Sequence, residues 1–482
     1  MRPLDVGIIG SGTAGSAAAL FLARAGHRVT VYERVPDPKP VGAGIAVQPT
    51  GLHVLCRLRL YSDVVARGSK IDRLFVERAN VRSPGARKTL FELSYESAGE
   101  GLFGLGLHRG VLFQSLFGAL RREPVTIRCG VEIVDLARAE RSMERRRSTY
   151  LVDKLGERHG PHELVVVADG ARSQLRDDTN TSKRIAKYPW GALWFVGRDA
   201  RGDEPRHARI LHQIVSGNRR LLGMLPTGIG PKVRNIAGQS EPAPAGRLVS
   251  LFWSVRGDEV EALRRGGLGR WKDEVRALAP EAAPIVETID DVDRLLFAEY
   301  HDVVMHRWST RNVVYLGDAA HATSPQLGQG ANLALWDAMV LADCLSDETH
   351  DLSRALGCYS RAREPHLGFY QFATRWLTPF FQGDEAALGE LRDLAMPLMA
   401  KVPLMRRLMT LSMLGVVDGF GGRTLALRLP REPSERETRT SSTFPAPAEP
   451  TDSGALGVPS QLAREHGAES RAESRNRDAP HA

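Results

Sequence analysis

Gly10, Gly12 and Gly15 stand at GxGxxG spacing in GIIGSGTAGSAAALFLARAGHRVTVYER, and Glu33 follows eighteen residues beyond Gly15. Residues of these types at this spacing can hold a dinucleotide. Gly10 permits a tight turn, Gly12 removes a side chain where a pyrophosphate must approach, and Gly15 lets a helix pack closely on a strand. The N-terminus of that helix offers unpaired N–H groups and a partial positive charge to phosphates. A carboxylate at Glu33 can accept hydrogen bonds from ribose hydroxyls, which favours an adenosine without a 2′-phosphate. The motif alone does not choose between FAD and NAD.

Two further stretches combine glycine with an acid. VVVADGARSQLR (165–176) has the DGxxSxxR pattern of Asp169, Gly170, Ser173 and Arg176. On its residues alone it is a strand ending in a turn, with Ser173 placed to cap a helix. GDAAHATSPQLGQG (317–330) places Gly317 and Asp318 directly after the apolar run VVYL, and Pro325, Gly328 and Gly330 before the helical pattern NLALWDAMVLADCL. Asp318 can hold hydroxyls there, and the dipole of the following helix would face whatever fills the crevice. The stretch contains no evident nucleophile and no metal cluster.

The elements that must carry these motifs can be read from periodicity. Strand DVGIIG, helix AGSAAALFLARAG and strand RVTVYER make a βαβ start. Helical periodicity is read over 41–60 and 109–121, and strand-like alternation over 125–170. From about 185 to 300 the texture becomes β-rich, with GALWFVG, RILHQIVSG, RRLLGMLPTG and RLVSLFWSV. The expected fold class is α/β, a Rossmann-like FAD-binding domain with an inserted antiparallel β-sheet and C-terminal helices. The expected boundaries are 1–184 and 301–345 for the two parts of the nucleotide-binding domain, 185–300 for the β-rich substrate domain, 346–430 for the helical region and 431–482 for a disordered tail. That tail is rich in Pro, Ser, Glu and Arg and cannot offset its ordering entropy by burial.

Composition excludes several classes. At 482 residues, 42% hydrophobic and 25% charged, the chain is an ordinary globular protein. The net charge of +8 comes from dispersed arginines rather than one stripe, so no nucleic-acid partner is expected. RAERSMERRR (138–147) reads as a solvated hairpin tip. Cys56, Cys129, Cys344 and Cys358 are far apart in sequence, without CxxC or clustered His, and are expected reduced, with neither disulfide framework nor metal site. The absence of a signal-like N-terminus and of a long apolar run gives a cytoplasmic expectation, with membrane contact peripheral at most.

The order GxGxxG, DG, GD resembles the para-hydroxybenzoate hydroxylase superfamily, the group A flavin monooxygenases, over about residues 4–420. The resemblance implies FAD as cofactor and NADPH or NADH as co-substrate, with an aromatic or polyketide-like small molecule and O2 as the other reactants. Hydroxylation would proceed through a flavin C4a-hydroperoxide, the cofactor itself carrying the difficult chemistry. It further implies pyrophosphate contacts from Gly10, Gly12, Thr13, Ala14 and Gly15, and a ribose contact from Glu33 with Arg34 beside it. Arg109, in LHRGVLFQSL, would lie near the phosphates and ribityl chain, Asp169 with Arg176 near FAD and the nicotinamide nucleotide, and Gly317 and Asp318 at the ribityl chain. Pro325, Gly328, Gly330, Ala331 and Asn332 would lie against the flavin ring, with VGAGIAVQPTG (41–51) beside it. Departures are Thr50 for the usual Asn, Trp336-Asp337 for the usual Glu-Asp, and Ala46 where some relatives carry a polar residue.

No side chain is assigned as substrate base. The apolar strands of the inserted sheet read first as buried core, and second as a pocket lined in part by Trp194, Leu221 and Trp253, with His212 and Gln213 as candidate polar anchors. Met and Leu recurring over 375–415 resemble the C-terminal helices of ubiquinone-biosynthesis-type hydroxylases and read as helix packing, with peripheral membrane contact or dimerisation as the alternatives. A monomer or homodimer is expected. Other readings on the same fold are a flavin-dependent halogenase, a prenyl reductase and, of another class, a non-catalytic prenyl-binding protein. The first two lack their signature motifs, and the third would require loss of Glu33, Arg109, Asp169 and Asp318.

Overall fold

The computed structural model describes residues 2–80, 86–138, 148–176, 182–199, 208–234, 240–241, 246–347 and 351–430. Most of the charged run 138–147 and the expected disordered tail fall outside them.

Short apolar runs build the first sheet. Asp5–Ile9, Leu164–Val167 and Val313–Tyr315 are buried almost throughout, as parallel strands covered on both faces must be. They neighbour one another in a six-stranded sheet ordered Ser309–Thr310, Val313–Tyr315, Leu164–Val167, Asp5–Ile9, Arg28–Glu33 and Val125–Cys129. All pairs are parallel except the outermost, Ser309–Thr310 with Val313–Tyr315. Register aligns Ile9 with Val167 and Val167 with Tyr315. The three glycine motifs therefore leave three adjacent strands at the same level, at their carboxyl ends, where open α/β sheets bind ligands.

The second large sheet has seven strands, ordered Leu296–Met305, Ser182–Arg198, Leu248–Arg256, Arg220–Gly228, Ile210–Ser216, Arg73–Ala79 and Arg87–Ser94. Its last two strands come from the region before residue 100, so the sheet is not wholly an insertion within 185–300. Arg73–Ala79 pairs parallel to Ile210–Ser216, and the other pairs are antiparallel. Pairing between strands so distant in sequence leaves no local signature, which is why periodicity missed it. Nor is 41–60 helical throughout: Gly44–Val47 is a strand paired with Gly104–His108, and helix begins at Pro49.

The seven-stranded sheet separates a core from a cavity. Leu193, Phe195, Leu222 and Trp253 pack outward onto helix Leu268–Leu278 and its neighbours. Trp194, Leu221 and Phe252 face the opposite way, into a cavity. Helices Leu352–Phe381, Ala386–Lys401 and Pro403–Leu414 cover that cavity from the far side. Residues Met1–Arg431 form one compact unit. No helix among the described residues is long and apolar enough to cross a membrane.

Candidate active site

The three glycines of the first motif do different work. Gly10 has φ +95° and a β-carbon there would lie 2.5 Å from the Ala168 carbonyl oxygen, so only glycine fits. A β-carbon at Gly15 would collide with the Gly10 carbonyl oxygen. At Gly12 a β-carbon would meet nothing within 4 Å, because the residue faces the cavity. Helix Thr13–Arg24 begins there without a side-chain cap, leaving its first N–H groups available to an anion. Glu33 underpins this loop: Oε2 accepts from the Ser11 N–H at 2.9 Å and from Ser11 Oγ at 2.7 Å, and Oε1 from the Val35 N–H. Arg34 is exposed beside it.

The DG and GD motifs are fastened together by Arg176. Its Nε donates to the Ala319 carbonyl at 2.7 Å, and its Nη atoms donate to the carbonyls of Gly170, Ala171, Ser173 and Asp318. The guanidinium thus spans both loops, an assignment the spacing alone could not make. Asp169 has a buried Oδ1 without a hydrogen-bond partner. Burial raises its carboxyl above the usual range, with Ser173, Arg176 and Arg34 opposing. An orphaned buried acceptor beside an open glycine cradle is what a hydroxyl-rich nucleotide would satisfy.

Across the cavity, Asp318, Pro325, Gly328, Gly330 and Ala331 line the wall, as do Gly12, Thr13, Ala14 and Arg109. Helix Gly330–Asp347 points its N-terminus into the space they enclose. Strand Gly44–Val47 borders the same space through Ile45 and Ala46. Asn332 does not reach it. Its Oδ1 accepts from the Gln48 N–H at 2.8 Å and its Nδ2 donates to the carbonyls of Ala46 and Gly328, so this buried amide clamps two walls together. Gly10, Gly15 and Gly317 likewise shape the backbone behind the lining rather than face the cavity.

Behind the GD loop lies a buried ionic cluster that spacing did not announce. Asp337 accepts from the Gly317 N–H at 2.8 Å and pairs with His321 at 2.6 Å and Arg363 at 2.7 Å. Burial alone would raise its carboxyl; His321, Arg363 and the Gly317 N–H bring it down to about 2. Arg363 donates onward to His366 Nδ1 at 2.6 Å, so the His366 proton is on Nε2 and is given to the Gly415 carbonyl at 2.8 Å. Gln329 donates to the Ser412 and Met413 carbonyls from the other end of the loop.

The cavity has a volume of about 750 Å³ and runs on from these loops into an apolar chamber. Trp194, Leu221 and Gln213 line it. Trp253 and His212 do not, because strand alternation turns each to the other face: Trp253 packs edge-on against Trp271, and His212 Nε2 meets Glu77 at 2.8 Å. Phe252 and Gln213, each one residue away, hold the cavity positions. Tyr95 and Tyr300 also line the chamber, and burial pushes both hydroxyls well above the usual range, so they stay protonated donors. Tyr95 donates to Gln48 Oε1 at 2.7 Å, which leaves the Gln48 amide nitrogen as a donor toward the cavity.

A sequence model described as an FAD binding domain matches residues 3–367. The chain belongs to that family. FAD is therefore its cofactor. A probable 2-heptyl-3-hydroxy-4(1H)-quinolone synthase AqdB2 of Rhodococcus erythropolis is 28% identical over 75% of this chain and 84% of its own length. The 3-amino-4-hydroxybenzoate 2-monooxygenase of Streptomyces cremeus is 27% identical over 76% of this chain and 84% of its own. Among solved structures, PqsL of Pseudomonas aeruginosa in complex with 2-aminobenzoylacetate superposes with a TM-score of 0.66 at 22% identity, covering 81% of this chain and 100% of that one. At that identity the likeness establishes the fold, and this FAD-binding protein shares it.

Proposed function

We propose that the protein is an NAD(P)H-dependent FAD monooxygenase that hydroxylates an apolar aromatic small molecule. One observation carries the reading: a single cavity joins the FAD-binding loops to a chamber walled by Trp194, Phe252, Leu221 and Leu225. The monooxygenase named in Streptomyces cremeus and the synthase named in Rhodococcus erythropolis support the reaction class.

FAD, when bound, supplies hydride acceptance and activation of dioxygen. The chain supplies its place and surroundings. In this reading Gly12 and the first N–H groups of helix Thr13–Arg24 hold the pyrophosphate, Glu33 the ribose, and Asp318 the ribityl hydroxyls. The N-terminus of helix Gly330–Asp347 stabilises negative charge on the ring, and the apolar chamber beside it disfavours water there. Glu299, at the cavity edge, is paired with Arg172 and Lys187 and leaves no free base among the described lining carboxylates apart from Asp318. Activation comes from the substrate's own hydroxyl or amino group, oriented by the donors of Gln48 and Tyr300, or from His301, a lining imidazole whose pKa burial lowers.

The test is oxygen incorporation. Purified protein carrying FAD is supplied with NADPH or NADH, labelled dioxygen and a panel of phenols and bicyclic heteroaromatics. A stimulated NAD(P)H oxidation with gain of one labelled oxygen in the product is expected. Oxidation that depends on halide, or no labelled product from any member, overturns the reading.

A further inference from the structure

Residues 369–413 contribute fourteen side chains to the cavity wall, and none is charged. The two polar ones already have partners: Gln382 receives a hydrogen bond from Gln326 and donates to the Gly191 carbonyl, and Ser412 donates to the Leu408 carbonyl. The rest are aromatic and aliphatic, with methionine dominant. Met396 and Met399 come from one helix. Met405, Leu408, Met409 and Met413 recur at helical spacing along the next, so one stripe of Pro403–Leu414 faces the void. A stripe read from sequence as packing is thus turned toward empty space.

Exposure gives this space a direction. Met396 and Met413 are only 6% exposed, whereas Leu408, Phe372 and Trp376 line the same cavity at 39%, 53% and 50%. Side chains that both line a cavity and meet solvent mark its mouth. The cavity therefore runs from the flavin loops, past the chamber of Trp194 and Phe252, between two methionine-bearing helices, to the surface. Lys401, Arg406 and Arg407 are on exposed positions outside it.

We propose that this passage is a subsite for an unbranched aliphatic tail, so that the substrate is an aromatic head bearing a flexible n-alkyl chain. The inference rests on the hydroxylase reading for the head alone. A wall without charges or free acceptors, whose only side-chain donor not accounted for is the Trp376 indole N–H at the mouth, rejects an ionised or strongly polar substituent, which would lose its hydration without compensation. Unbranched, polarisable methionines can conform to a chain of many rotamers. The open mouth at Phe372 and Trp376 sets no sharp upper limit on its length.

The experiment measures binding and turnover separately. Flavin-loaded full-length protein is titrated by calorimetry with 4-n-alkylphenols from methyl to octyl, and the same samples are assayed for labelled oxygen. Kd is expected to fall two- to fourfold per added methylene through the middle of the series, the ratio that burial of a methylene gives. Leu408→Trp and Met409→Trp should abolish that dependence while leaving 4-methylphenol binding within twofold of the parent, which also reports an intact fold. A flat series, absence of binding by the octyl member, or variants that weaken every member equally would overturn the tail subsite. Chain-dependent binding without oxygen insertion would sink the hydroxylase reading and leave the subsite standing.

Discussion

The backbone N–H of Gly317 donates to the buried carboxylate of Asp337 at 2.8 Å, from a helix twenty residues further on. Gly317 has φ +58°, a conformation that disfavours side chains, and it positions Asp318 at the cavity wall. A turn with little intrinsic stability is thus pinned by an anion that itself needs His321 and Arg363 to remain charged in the interior.

Replacing that anion tests the arrangement. Asp337→Asn keeps the shape but strands the fully buried Arg363 without a counter-charge. A loss of about 3–5 kcal/mol in urea unfolding is expected, together with reduced flavin retention. Wild-type stability in this variant would show that the cluster does not hold the loop.

The glycines of the first motif should separate. Gly12→Leu points into open space, so apoprotein melting should change little while flavin occupancy collapses. Gly15→Ala forces a β-carbon onto the Gly10 carbonyl and should lower both. Equal effects on melting would contradict the division of roles.

Trp194 and Trp253 lie on facing strands of one sheet but on opposite sides of it. Trp253→Ala should cost about 3–5 kcal/mol of stability, since it empties a closed core. Trp194→Ala should cost much less and should instead weaken substrate binding, read as a rise in KM.

His366 should set part of the acid response. Burial and the Arg363 guanidinium bring its pKa down to about 3, whereas the unfolded chain titrates near the ordinary value of 6.5. The folded state therefore binds fewer protons between these limits. This contribution to stability is complete above pH ~6.5 and is lost as pH falls toward 3, at up to about 1.4 kcal/mol per pH unit. His366→Gln should flatten the dependence of unfolding free energy on pH between 6 and 4. An unchanged slope would exclude the role.

By itself the sequence determined the turns and helix starts on one side of the cavity. GxGxxG with Glu33, DG with Arg176, and GD with Gly328 and Gly330 encode turns and helix starts, and such geometry depends on residues only a few positions apart. Continuous apolar runs likewise announced the parallel strands that bring the three turns to one level.

Only the tertiary structure decided what faces what. Alternation along a strand is legible, but its phase depends on which partner covers each face, so Trp253 and His212 read as well as Phe252 and Gln213 until the sheet was assembled. The strands at 73–94 joined that sheet through pairing over more than a hundred residues. The partners of Asp337, the clamp made by Asn332 and the void beside the methionine stripe are long-range facts of the same kind. Whether an apolar helix face meets another helix or an empty passage depends on chain that lies elsewhere, and no local spacing records it.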